Sequence, residues 1–127
     1  MKQRVIQLGM ATLFLLIASS AWTQEANHLQ ATDDFPSDVA SVWFDLLYDV
    51  VKTEALSPPV ASRIYGIAAV TLYEAIVPGG REHRSLVGQL NELAAVPQPK
   101  PHTPYHWPMV AHSALARTVR GFFPHAS

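Results

Sequence analysis

Six histidines and two acidic pairs are the side chains in this chain most open to chemistry. His102 and His106 stand four apart, a spacing that forms a metal pair only on a helix. They lie in Pro97–Pro108, where prolines at 97, 99, 101, 104 and 108 exclude a helix and a central strand. Extended, polyproline-like chain is expected there, a strap over a helical surface anchored by Tyr105 and Trp107. A metal-handling role for His83, His102, His106, His112 and His125 would require the fold to gather residues spread along the chain. The pair Asp33–Asp34 precedes a helix and reads as solvated. Asp45 and Asp49, one helical turn apart, read as a solvated helix face, since no third ligand stands nearby in sequence. Ser62-Arg63 matches part of a phosphate-binding Ser-Arg arrangement, in which a histidine follows about two turns later. Ala69, Val70 and Thr71 occupy those places, so Arg63 reads as a structural or surface arginine. The turn Arg81-Glu-His-Arg84 is charged enough to meet an anion, but one loop makes no specific site.

The elements that would position these residues are helical. Ser57 is a suitable N-cap, and Pro58 and Pro59 suit the first helical positions, which have no intrahelical N–H bond to lose. The run to Val77 is then apolar or small except for Arg63 and Glu74. Ile64, Ala68, Leu72, Ala75 and Ile76 make one stripe; Ser62, Gly66, Ala69 and Tyr73 make a small-residue stripe. A helix apolar on all sides belongs in an interior, and Pro78-Gly79-Gly80 stops it. Before it, Ser37 can cap a helix from Asp38 to about Ala55, with Val39, Trp43, Leu46, Val50 and Val51 inward and Val42 and Leu47 widening the face. Leu56 joins the two tightly, as in an antiparallel hairpin or sharp corner. A short third helix from Ser85 to about Val96 would bury Leu86, Leu90, Leu93 and Ala94, though Gly88 weakens it. A fourth is expected over Met109–Phe122, with Val110, Ala114, Leu115, Thr118 and Phe122 inward and Arg117 and Arg120 exposed. His112 reads as a partly buried structural residue.

The start of the chain has the pattern of a secretory signal peptide. Lys2 and Arg4 precede an uncharged, mostly apolar Val5–Ala18, and small residues allow a cut after Ala21. Val5–Ala18 is shorter than the roughly 20 residues needed to span a bilayer, so no stable span is expected once the leader is removed. Uncleaved, it would act as an anchor. The expected organisation is a signal peptide at 1–21, a flexible leader at 22–36 and a helical segment at 37–127, with the product exported to a periplasm or secreted.

Composition narrows the classes. The chain has 127 residues, 49% hydrophobic, with a net charge of −1 and no cysteine. That balance argues against a nucleic-acid binder held by phosphate neutralisation. Without cysteine there is neither a disulfide framework nor a thiolate metal site. Charge is segregated: Glu25–Glu54 is acidic apart from Lys52, while Ala55 onward is basic, so electrostatics favours packing the first helix on the later ones. No Gly-rich phosphate loop, Gly-x-Ser-x-Gly or His-Glu-x-x-His occurs, and long alternating runs typical of strands are missing.

Leu56-Ser-Pro-Pro-Val-Ala-Ser-Arg63, a following Tyr65, and Leu72-Tyr-Glu-Ala75 resemble the N-terminal part of vanadium-dependent haloperoxidase-like proteins. Those share a superfamily with the type 2 phosphatidic acid phosphatases. Ser85–Leu90 and the pattern from Ala111 to Phe123-Pro124 fit the same resemblance, which covers roughly Asp38 to Pro124. Glu74 stands where an Asp is more usual, and Val77-Pro78 where an Asn is usual. The resemblance implies an all-α fold: a small bundle of about four helices, an incomplete piece of a larger helical-bundle domain. It also implies a pocket late in the family's chain, built from a Lys, an Arg-Pro, a Ser-Gly-His and an Arg followed by a His, around vanadate or phosphate. This sequence has no Arg-Pro and no Ser-Gly dipeptide. No catalytic, cofactor-binding or metal-binding residue is therefore assigned, and no cofactor is expected in this chain. The expected function is a scaffold fragment of an exported haloperoxidase-like or acid phosphatase-like protein, without that pocket and inactive alone. The alternative is a small secreted helical binding module without catalysis. The protein contact expected is self-association through exposed apolar helix faces.

Overall fold

The computed structural model describes residues 30–124. The expected signal peptide, most of the expected leader, and His125 lie outside them. Three α-helices and no strand occur among the described residues: α1 (Asp38–Thr53), α2 (Pro58–Ile76) and α3 (Trp107–Phe122). Two 3-10 turns occur as well, Thr32–Asp34 before α1 and Val77–Gly79 directly after α2. The all-α expectation holds in this form, with three helices rather than four.

The α2 boundaries follow the local chemistry. Pro58 and Pro59 fill N1 and N2, and Pro78 falls in the 3-10 turn that ends the helix. Ser57 is the N-cap in extended geometry, but its hydroxyl makes no capping bond; neither does that of Ser37 at α1. The α1–α2 corner is turned by Ala55, whose φ of 48° lies in the left-handed region. The Leu56 amide returns to the Val51 carbonyl at 3.1 Å. α3 begins at Trp107, earlier than expected, because Pro108 is tolerated in a first turn. The His106 imidazole, not a serine, stands at its cap, with Nδ1 3.4 Å from the Met109 amide.

The expected helix at Ser85–Val96 does not form. Gly88 and Glu92 take φ values of 74° and 66°, which no right-handed helix accommodates. Turns close instead, with the Gly88 amide donating to the Leu93 carbonyl at 2.9 Å. Leu90, expected inside, is 42% exposed.

α3 packs chiefly on α2, and α1 touches both. The core is Leu47 from α1, Ile64 and Ala68 from α2, and Leu115 from α3, with Trp43, Phe44, Leu56, Tyr65 and Leu72 around it. Phe44 stacks on Tyr65 at 6.2 Å. Two expectations for α1 are corrected here: Leu46 and Val42 are 44% and 60% exposed, and the inward face centres on Leu47 and Phe44. The interior expectation for α2 is also only half met. Ile64, Ala68 and Glu74 are buried, whereas Pro59, Ser62, Gly66 and Ala69 of the small-residue side are exposed. Nothing among the described residues lies within 4 Å of a β-carbon built on Gly66, so no neighbouring backbone approaches the stripe there. By length and composition Pro58–Gly79, mean hydropathy 1.4, is long and apolar enough to cross a membrane. A core helix of a helical bundle meets the same criterion.

Candidate functional site

Two constructions meet at the C-terminal end of α2. The first is a carboxylate clasp. Glu74 is only 7% exposed, and each of its oxygens is engaged. The Ser85 hydroxyl donates to Oε2 at 2.7 Å and the Leu86 amide to Oε1 at 2.6 Å. Ser85 Oγ in turn accepts from the Val87 amide at 3.0 Å. The Glu74 side chain spans from α2 to the turn that replaces the expected third helix. Beside it the Tyr73 hydroxyl donates to the Arg84 carbonyl at 2.7 Å. With both oxygens holding the fold, Glu74 is a structural carboxylate rather than a proton-transfer group.

The second construction is a groove of about 430 Å³ between α2, α3 and the proline strap. Val70 and Ala75 form its floor, Val110 and Ala114 one side, and Pro97 and Pro99 the other. Tyr105 and Trp107 stack at 5.6 Å at its end, so the two aromatic anchors expected of the strap stand together. The Tyr105 hydroxyl accepts from the Lys100 amide at 2.9 Å, which closes the strap's loop. Volume and lining fall in the range of small-molecule sites. The walls offer burial of apolar surface, with Thr71, Glu74 and Gln98 as polar exceptions.

Trp107 also ties down the segment before α1. Its indole N–H donates to the Gln30 carbonyl at 2.9 Å, and the Thr32 hydroxyl donates to the Ile76 carbonyl at 2.8 Å. Asp34 receives Arg81 at 3.0 Å, and the Arg81 amide lies 3.4 Å from Asp33 Oδ2. Gln30–Pro36, the end of the expected leader, is thus bonded to the helical unit. The Asp33–Asp34 pair is used as a dock for Arg81.

The remaining singled-out residues are not gathered into one place. Arg63, Asp45 and Asp49 are exposed. His83 stacks on Tyr73 at 6.4 Å, and His106 meets the Phe35 ring edge-on at 5.3 Å. His102 is exposed on the strap with φ 57°. His112 accepts from the Trp43 indole N–H at 2.9 Å, which makes it the polar link between α1 and α3. Among the described residues no group of three or more His, Asp or Glu is placed to hold a metal ion. The sequence reading missed the Glu74 clasp. Its only signal was a lone acid in an apolar helix, which must find partners when buried.

No family model matches this chain, and no curated protein or solved structure is significantly similar to it.

Proposed function

We propose that this chain is a scaffold portion of an exported, haloperoxidase-like or acid phosphatase-like helical protein, supplying packing surface rather than oxyanion chemistry. The observation that supports this is the half-covered α2. It carries the residues on which the resemblance rests, it is apolar on nearly every side, and Val60 and Ile67 remain 47% and 39% exposed beside the bare Gly66. A helix of that composition gains most of its stability from burial, so further helices are expected to cover it. The chemistry would then belong to other parts of the protein, with vanadate or phosphate held there. Reading the coding DNA through and beyond the Ser127 codon tests this. A continuation, in any frame, into Arg-Pro, Ser-Gly-His and Arg…His blocks is the expected result. Flanking sequence without them sinks the reading.

A second reading, a small secreted helical binding module, is favoured by the groove under the strap. It predicts that the purified chain unfolds in one cooperative thermal transition and that an apolar fluorescent probe binds with one saturable site. A molten chain that takes up the probe without saturation removes it.

A further inference from the structure

The charge segregation seen in the sequence is not absorbed by the fold. Within the described residues the acidic α1 does not meet the basic side chains of α3; the one ion pair there is Asp34–Arg81. The reason is rotational. Trp43 faces α3 through its bond to His112, and side chains two and six positions later project from the far side of α1. That far side carries Asp38, Val42, Asp45 and Asp49 at i, i+4, i+7 and i+11, with Lys52 ending the stripe at i+14 and Leu46 beside it. Its acids are exposed, and Val42 and Leu46 are 60% and 44% exposed.

α3 has a stripe of opposite net sign. Met109, Ser113, Ala116 and Arg120 follow the same i, i+4, i+7, i+11 spacing, flanked by Arg117. Met109 is 59% exposed and both arginines are exposed. No carboxylate lines the shallow cleft in which Ala116, Arg117 and Arg120 stand with Trp43 and His112. Each stripe thus pairs uncovered apolar carbons with charge, three aspartates against Lys52 on α1 and two arginines on α3, so the net signs oppose each other.

We infer that the chain associates with a second copy of itself, the acidic stripe of α1 in one copy docking on the basic stripe of α3 in the next. A head-to-tail contact of this kind continues into a ring or an open chain, whereas a reciprocal pair of such contacts closes as a two-fold dimer. Apolar contact between Val42 or Leu46 and Met109 supplies burial, and Asp45 and Asp49 facing Arg117 and Arg120 supply orientation and specificity. This does not depend on the scaffold reading, whose test is a DNA sequence.

Sedimentation velocity of the full chain in a nonionic detergent tests the inference. Assembly that grows with protein concentration is expected at low salt, weakening about tenfold when salt rises to about 0.5 M. The double variants Asp45→Lys/Asp49→Lys and Arg117→Glu/Arg120→Glu should each stay monomeric alone, with unchanged helical circular dichroism because all four positions are exposed. Mixed together, they should associate, since each then meets its opposite. Three results overturn the inference: variants that assemble as the unaltered chain does, a mixture that stays monomeric, or an unaltered chain that is monomeric at low salt. The last would leave the two stripes to a foreign partner.

Discussion

The two ends of α2 are held by different kinds of force. At the C-terminal end, specific polar bonds converge from distant parts of the chain. Glu74 takes Ser85 and Leu86, Thr32 takes the Ile76 carbonyl, and Trp107 takes Gln30. Toward the N-terminal end, α1 is joined by the apolar contacts of Leu47 and Phe44, with one indole–imidazole bond to α3 further along. Directional bonds fix one arrangement, while apolar contact tolerates sliding. The C-terminal end should therefore be the stiff part of the molecule, and α1 the part that adjusts when further surface is covered.

The comparison breaks most sharply at Gly79. A β-carbon there would stand 2.1 Å from Trp107 Cε2, 2.4 Å from Cζ2 and 2.5 Å from Thr32 Oγ1. Trp107 is buried and bonded to Gln30, so it cannot swing aside without giving up that bond. Gly79→Ala should cost about 3 kcal/mol, read as a lower midpoint in chemical denaturation. A variant of unaltered stability would mean that the Trp107 junction is not tightly packed. Glu74→Ala comes next. It strands the Ser85 hydroxyl and the Leu86 amide and leaves a gap, for an expected loss of about 2 kcal/mol. Faster hydrogen exchange at the Leu86 amide should accompany it, with α1 amides unaffected.

These two residues also mark where the sequence was readable. Pro58-Pro59 and Pro78-Gly79-Gly80 bound α2 by backbone rules that act within a few residues, and the structure places its ends there. The inward sides of α2 and α3 followed from periodicity, with Ile64, Ala68 and Leu115 buried. The Ser85–Val96 segment defeated the same method. Ser85 has the character of a cap, yet its hydroxyl is drawn to Glu74 across a turn of chain, and Gly88 and Glu92 adopt left-handed φ. A partner outside the local window decided the matter. The face of α1 was legible in part: Leu47 and Trp43 lie inward as expected, but Leu46 and Val42 are exposed, and Phe44, which meets Tyr65, was missed. The Glu74 clasp and the groove under the strap both join segments far apart in sequence, so neither had a local signature beyond one unpaired acid and a run of prolines.

A smaller effect sharpens the comparison from the α1 side. Trp43→Phe keeps most of the ring's packing but removes the N–H that His112 accepts. The expected loss is about 1 kcal/mol, with α1 amides exchanging faster and the Leu86 amide unchanged. Equal acceleration at both ends would mean that the molecule opens as one unit, and the division between a stiff and an adjustable end would fail.

The smallest effect concerns the N-terminus of α2 itself. A serine at the N-cap ordinarily contributes about 1 kcal/mol through a bond from its hydroxyl to an amide in the first turn. Ser57 has the extended backbone of a cap, φ −66° and ψ 149°, but makes no such bond. Pro58 and Pro59 at N1 and N2 remove two of the donors a cap could satisfy, and they already fix the backbone that a cap bond would help to hold. Ser57→Ala should therefore change stability by less than about 0.5 kcal/mol, measurable as a near-coincident denaturation curve. A loss of a full cap's worth would place a bond at Ser57 and make the N-terminal end of α2 more like its C-terminal end, with local polar contacts setting the position of the helix at both.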